Sequence, residues 1–200
     1  NLLDALVKLQ NSPNKVILAS SASIYGDNNL SPLKESMSPK PISHYGCSKL
    51  SMEYMAEAYS DRLPILITRP FNYTGVGHNE RFVIPKIVRA YRDNLPNIEL
   101  GNLDVYREFN DVRDVSLIYA KLMESRNLVG PINICSGRSI SLSQIIKSMD
   151  EITESSINII SNQKYKRANE IVTLTGSNEK LKSHIQFDFK HTIEDTLRWM

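Results

Sequence analysis

The sequence predicts an α/β fold built on a parallel sheet. Two short runs, Val16-Ile17-Leu18-Ala19 and Ile65-Leu66-Ile67-Thr68, are continuously apolar rather than alternating. That is the pattern of strands buried on both faces of a parallel sheet. A helix-like stretch over residues 43–62 separates them, at the spacing of a β-α-β unit. Another short strand is expected over residues 131–135, after a helix over 111–124.

Taken in order, residues 1–11 read as a helix with Leu2, Leu3, Leu6 and Val7 on one face, closed by the breaker Ser12-Pro13-Asn14. A strand over 15–21 leads into an Asn-, Ser- and Pro-rich loop over 27–42. The 43–62 helix and a strand over 64–68 follow, then a Gly-containing loop over 71–78. A helix over 80–93 must hold Pro85 near its first turn, because proline has no N–H to give to a helix interior. Short strands at 98–100 and 105–109 flank the Gly101-Asn102-Leu103-Asp104 turn. Ser141 with Gln144 three residues on is a capping-box pattern opening a helix to about residue 153. A strand over 157–160, an irregular stretch over 163–175, and helices at 177–184 and 192–200 complete the chain. Thr192 with Asp195 gives the last helix a capping pattern.

Composition excludes several function classes. Of 200 residues, 41 % are hydrophobic and 23 % charged, and the formal net charge is +2, too small and too dispersed to imply nucleic acid. No apolar run approaches the roughly 20 residues of a membrane span, and no signal-peptide pattern is present. Cys47 and Cys135 lie far apart without metal-type spacing, so reduced thiols in a cytoplasmic setting and no metal site are expected.

Tyr45 and Lys49 are the candidate chemistry. Four residues apart on a helix, they share a face. A phenol beside an ammonium can trade a proton with a substrate oxygen, because the cation stabilises the phenolate. In a parallel α/β sheet, ligands bind beyond the carboxyl ends of the strands. Two such ends are visible, Ser20-Ser21-Ala22-Ser23 and Arg69-Pro70-Phe71-Asn72, and the Tyr45 helix starts between them.

These residues carry a resemblance. Ser21-Ala22-Ser23-Ile24-Tyr25-Gly26, Tyr45-x-x-x-Lys49 and Arg69-Pro70-Phe71-Asn72-Tyr73-Thr74-Gly75 resemble the extended short-chain dehydrogenase/reductase family, the NAD-dependent epimerase/dehydratases. The segment from Gly101 to Val115, then Ile134-Cys135-Ser136-Gly137, then Arg167-Ala168-Asn169-Glu170-Ile171, resemble its branch handling GDP-mannose and GDP-4-keto-6-deoxy-mannose. The resemblance implies the C-terminal half of a Rossmann-type doubly wound parallel sheet with a smaller α/β substrate-binding domain. Residues 1–70 would be the partial NAD(P)-binding domain. Residues 71–200 would mainly be the substrate domain, with 105–127 returning to the sheet. It also implies NAD(P)H-dependent reduction of the C4 ketone of a GDP-4-keto-6-deoxyhexose to GDP-D-rhamnose, with NADP or NAD as cofactor and a GDP-sugar as substrate.

Carried over by position, Tyr45 would be the general acid, Lys49 its cation and a ribose ligand, and Ser21 a hydrogen-bond partner of the same sugar oxygen. Ser20, Pro70, Phe71 and Asn72 would meet the cofactor, and Asn72 the sugar as well. Val83 and Lys86 would meet the nucleotide. Arg107 and Arg167 would pair with the pyrophosphate, where a planar fork suits the oxygens, and Glu170 would accept from ribose or base. The helices at 1–11 and 43–62 would form a homodimer.

Each residue also has a structural reading: Arg107 as a strand ion pair, Asn72 as a turn residue, Ser21 as a cap. Ser23, Cys47, Met52 and Met55 are assigned to structure, and His44 and His78 to solvated or capping roles. Ser23 stands where dehydratases of the family carry an acid, which argues against 4,6-dehydration and leaves reduction or 4-epimerisation. No G-x-x-G-x-x-G turn occurs among the 8 glycines. The expectation is that the cofactor's phosphate cradle lies outside this sequence and that the chain alone binds NAD(P)H poorly. A reading from another class is a non-catalytic binding protein or inactive fragment that kept the fold.

Overall fold

A computed structural model describes residues 2–26, 31–125, 127–165 and 171–200. In chain order the elements are α1 (Leu2–Val7), β1 (Val16–Ala19), α2 (His44–Glu57), β2 (Ile65–Pro70), β3 (Tyr73–Thr74), α3 (Val83–Arg92), β4 (Asn97–Leu100), β5 (Tyr106–Arg107) and β6 (Asn110–Asp111). Then come α4 (Val112–Glu124), β7 (Gly130–Ile134), β8 (Ile140–Ser141), α5 (Leu142–Thr153), β9 (Asn158–Ser161), β10 (Thr173–Leu174), α6 (Glu179–His184) and α7 (Ile193–Trp199).

The two runs that predict the fold pair in one parallel sheet, which the strand after α4 joins to give the order β1-β2-β7. Val16 to Ala19 pair with Ile65 to Thr68, and Leu66 to Pro70 pair with Gly130 to Ile134. On one face Leu66, Ile132 and Ile134 pack with Val115, Ile118 and Leu122 of α4 and Leu181 of α6. On the other, Val16, Ile65 and Ile67 pack with Ala56 and Leu63, and with Leu3, Leu6 and Val7 of α1. Side chains of β2 thus alternate between two helical layers, which is why its run is apolar at every position. The expected α/β fold with a parallel sheet is borne out. The sequence reading returns only 105–127 to the sheet; α4 does pack on it, but β7, expected in the substrate domain, pairs with β2, and α6 packs on the same sheet.

A second core joins α3, α5 and α7 around β4 and β9, with Ile87 and Ile145 fully buried. Here β4 pairs in parallel with β9, Asn97 to Leu100 against Asn158 to Ser161. The two expected strands around the Gly101–Asp104 turn therefore do not pair with each other. Instead β5 lies between β10, parallel, and β8, antiparallel. The stretch expected to be irregular over 163–175 holds β10 and a short 3-10 turn at Gln163–Tyr165.

Element ends differ from the sequence reading for local reasons. After Val7, the amides of Lys8 and Leu9 donate three residues back, to Ala5 and Leu6, so α1 tightens and stops short of residue 11. The same happens after Glu57, where Tyr59 and Ser60 donate to Ala56 and Glu57. Pro85 is the third residue of α3, inside the first turn as required. Both capping boxes form, Ser141 with Gln144 and Thr192 with Asp195.

One edge of the sheet is closed by side chains. Asn133 N–H of β7 donates to Glu35 Oε1 at 2.8 Å, and Lys180 Nζ donates to Pro131 O at 2.6 Å. These two groups occupy the donor and acceptor that a further strand would use. The adjoining cavity of ≈ 400 Å³, bordered by Lys34, Ser36 and Glu179, contains none of the candidate site residues.

Candidate functional site

The site is built at the carboxyl ends of β1 and β2. After Ala19 the chain leaves the sheet through Ser20, whose N–H donates to Thr68 O at 2.8 Å. Ser21 then caps a 3-10 turn at Ala22–Ile24: its Oγ accepts from Ser23 N–H at 3.1 Å and faces Ser23 Oγ at 3.2 Å. The capping role foreseen for Ser21 is therefore occupied in this state. Ser20 Oγ is buried and has no hydrogen-bond partner among the described residues. A buried hydroxyl without a partner is uncommon, because its desolvation is uncompensated.

Helix α2 brings Tyr45 and Lys49 to this turn. Ser43 caps it, accepting from Gly46 N–H at 3.1 Å. Gly46 lets it come close: a Cβ there would lie 2.7 Å from Ser23 O. Lys49 Nζ donates to Ala19 O at 2.8 Å and sits 5.7 Å from the centre of the Tyr45 ring. The ammonium is thus fixed to the last residue of β1, and the phenol stands beside it, 55 % exposed.

Past β2, Pro70 is half-buried and Asn72 is exposed. The Phe71 side chain is buried in a cluster with Tyr25 and Cys135, so only its backbone faces the strand end. Asn72 O accepts from Asn110 N–H at 2.9 Å, and β3 pairs in parallel with β6. This joins Asn72 to the segment carrying Arg107. Between the two segments, Glu108 is fully buried and accepts from the amides of Gly176, Ser136 and Gly137 at 2.7, 2.8 and 3.2 Å. Burial pushes its carboxyl up, and the hydrogen bonds from Gly176 and Ser136 offset part of that.

The remaining candidates lie in the second lobe. Arg107 donates to the carbonyls of Tyr106, Val172 and Ile171 at 2.8, 3.1 and 2.5 Å, so it is a backbone clamp between β5 and the strand beside it. Lys86 donates to Glu99 O at 2.6 Å and stands 4.1 Å from the Tyr165 ring centre. Val83 is half-buried against the second core. Arg167 and Glu170 lie outside the described residues. His78 stacks on Phe82 at 4.3 Å and faces Thr74 Oγ1 at 3.1 Å; burial, then the Arg81 charge, hold its imidazole below the usual value. Cys135 is buried, and burial pushes its thiol far up, while Cys47 is exposed.

Sequence reasoning missed a buried polar knot behind the site. Arg69 donates through Nε and an Nη to Glu53 Oε1 and Oε2 at 3.1 and 2.7 Å. Its other Nη donates to Tyr25 Oη at 3.0 Å and Glu35 O at 3.2 Å. Tyr25 Oη donates in turn to Asn133 Oδ1 at 2.7 Å. Burial raises the Tyr25 phenol to about 12, against the lowering pull of the Arg69 charge. Nothing in the periodicity of α2 marks Glu53 as internal.

The residues fit the nicotinamide end of a dinucleotide. Lys49 uses one of its three donors on Ala19 O, the Ser20 hydroxyl has no partner, and Pro70 offers a face without an N–H. Among the described residues no group of His, Cys, Asp and Glu could hold a metal, and no helix is long and apolar enough to cross a membrane.

Comparison with known proteins places this geometry. The chain is 37 % identical over 196 residues to GDP-6-deoxy-D-talose 4-dehydrogenase of Aggregatibacter actinomycetemcomitans, covering 96 % of this chain and 65 % of that protein. It is 29 % identical over 207 residues to GDP-6-deoxy-D-mannose reductase of Pseudomonas aeruginosa, covering 99 % and 68 %. A crystal structure of a candidate epimerase from Burkholderia cenocepacia J2315 superposes with a TM-score of 0.96 at 44 % identity, covering 100 % of this chain and 66 % of that one. The structure of RMD from Pseudomonas aeruginosa complexed with NADPH gives 0.83 at 28 % identity, covering 92 % and 64 %. The chain thus spans 65 % of the length of the talose dehydrogenase it matches. The family model described as GDP-mannose 4,6 dehydratase matches residues 1–200, and the chain belongs to that family, within the epimerase/dehydratase group of short-chain dehydrogenases/reductases that its sequence motifs resemble.

Proposed function

We propose that this chain is the substrate-facing part of an NAD(P)H-dependent reductase acting on the C4 ketone of GDP-4-keto-6-deoxy-D-mannose. The observation that supports the reading is the tether of Lys49 to Ala19 O at the end of β1, with the Tyr45 ring centre 5.7 Å from that ammonium. The similarity to two GDP-6-deoxysugar oxidoreductases supports the substrate class.

In this reading the bound nicotinamide supplies a hydride to C4. Tyr45 gives its phenolic proton to the C4 oxygen as that oxygen gains charge, and Lys49 stabilises the phenolate left behind. Ser21 turns its hydroxyl from Ser23 Oγ, a long 3.2 Å contact, to the same sugar oxygen. Lys49 and Ser20 would hold the ribose end of NADPH or NADH, with Pro70, the backbone of Phe71, and Asn72 around the nicotinamide. Asn72 would also meet the sugar. Arg107 and Arg167 would pair with the pyrophosphate, Glu170 would accept from ribose or base, and Val83 and Lys86 would meet the nucleotide. Ser23 has no carboxylate for C5 deprotonation, which disfavours 4,6-dehydration.

The sequence expectation for the product is GDP-D-rhamnose. The higher identity to the talose dehydrogenase favours a second reading, hydride on the opposite face and GDP-6-deoxy-D-talose. Product NMR after incubating the full-length protein with GDP-4-keto-6-deoxymannose and each nicotinamide cofactor decides between them. The Tyr45→Phe variant should lose about 10²–10⁴-fold in kcat, and reduction at the wild-type rate would remove Tyr45 as the acid. A homodimer through α1 and α2 is part of the proposal: Leu2, Tyr54 and Met55 on these helices are 64, 61 and 58 % exposed. Light scattering on the full-length protein checks it, and a monomer would sink it.

A further inference from the structure

Helix α2 carries three polar residues on one stripe, each four residues after the last: Tyr45, Lys49 and Glu53. Four residues rise about 6 Å along a helix, so the stripe runs from the solvent-facing first turn into the protein. At its inner end Glu53 is 6 % exposed and Arg69 5 % exposed. Arg69 is the residue before Pro70 at the end of β2. Its guanidinium binds α2 through Glu53 and the chain just after the Ser21-capped turn through Tyr25, while its backbone lies in the strand that leads to Asn72.

Such a pair is a costly way to gain stability. Two charges taken out of water repay their desolvation only in excellent geometry. What a bidentate fork supplies is direction, since two parallel N–H···O bonds fix distance and rotation together. We propose that the buried Glu53–Arg69 pair is a positioning device, which sets how far α2 slides along the end of β2 and so where Tyr45 and Lys49 stand relative to Ser20, Ser21 and Asn72. The inference rests on the reductase reading for what those residues do, but not for the placement itself.

Two properties separate this role from simple stabilisation. Removing one partner strands the other charge, whereas replacing both with apolar residues of similar volume is often neutral or stabilising. The double variant Glu53→Leu/Arg69→Met strands no charge, so it should fold, with Tm lowered only through the lost hydrogen bonds to Tyr25 and Glu35 O, while the register of α2 is no longer dictated. A reacting group displaced by about 1 Å can cost 10²-fold in rate, so kcat of the full-length double variant should fall by about that factor, with KM for the GDP-keto sugar changed little. Hydrogen exchange should quicken over residues 20–26 and 43–50 and stay unchanged over α4 and α5.

Wild-type kcat and wild-type exchange in a folded double variant would overturn the proposal. If the double variant does not fold, Glu53→Gln, assayed well below its own Tm, must show the same fall in kcat at constant KM and the same local exchange; an unchanged kcat with unchanged exchange overturns it there. If the wild-type protein reduces no GDP-keto sugar, the reductase reading fails, and the exchange pattern alone still decides whether the pair positions α2.

Discussion

At the scale of single residues, Gly46 shows how a small side chain can matter more than a reactive one. Alanine inside a helix is ordinarily favoured over glycine by about 1 kcal/mol. Here the added Cβ would meet Ser23 O at 2.7 Å, a backbone atom that cannot swing aside. We expect Gly46→Ala to cost about 1–3 kcal/mol, as overpacking does, and to lower kcat because the helix must tilt away from the Ser21 turn. Thermal melting and steady-state kinetics on the same preparation check both. The chemistry-bearing pair was legible because helical spacing alone puts Tyr45 and Lys49 on one face. Glu53, Arg69 and Glu108 were not, because a charged side chain in a sequence reads as solvated unless its partner is known, and their partners lie 16 to 68 residues away. Arg107 reads in the sequence as a strand residue or a pyrophosphate ligand, and in the structure its guanidinium clamps the carbonyls of Tyr106, Val172 and Ile171, contacts that no local pattern announces.

At the scale of elements, legibility followed length. The four- and six-residue strands β1 and β2 stood out as apolar runs, and β7, broken by Asn133, showed only as a short strand without its place in the sheet. The two-residue strands β5, β8 and β10 are too short to show any period, and nothing local tells β4 that its partner is β9 rather than the run across the next turn. The junction of α4 and α7 offers a sharper test. Asp111 caps α4, and its carboxylate also accepts from Thr196 Oγ1 of α7 at 2.7 Å and pairs with Arg113, whose guanidinium lies 4.0 Å from the Trp199 ring centre. Burial pulls the Asp111 carboxyl up, but the Arg113 and Thr196 bonds outweigh it and hold it below its ordinary value of 3.8. A carboxyl lowered on folding contributes stability that is fully present above its unfolded value and lost as pH falls through the folded one. Acid titration should therefore loosen α7 below about pH 4, read by fluorescence of Trp199, the single tryptophan of the sequence. Asp111→Asn keeps a capping oxygen but should flatten that acid limb and lower Tm at neutral pH.

At the scale of the whole molecule, two cores share the work. One is built on both faces of the β1-β2-β7 sheet, the other around β4 and β9, and the hydrogen bonds to Glu108 tie the segments 136–137 and 176 to its strand. Ile118 and Ile145, both fully buried, sit one in each core. Either changed to alanine should cost about 2–5 kcal/mol, measurable by denaturant unfolding. The strand ends hold residues suited to a nicotinamide, but no glycine-rich phosphate turn occurs in these 200 residues. The chain by itself should give no tight NADPH titration by fluorescence, and submicromolar binding would contradict that expectation. The plugged outer edge of β7 adds a rule of assembly. With Glu35 and Lys180 filling that side, the sheet resembles a crystal with one poisoned face. A complementing fragment, a fused strand or an aggregating neighbour must turn to the β1 side, where Lys49 already holds the Ala19 carbonyl.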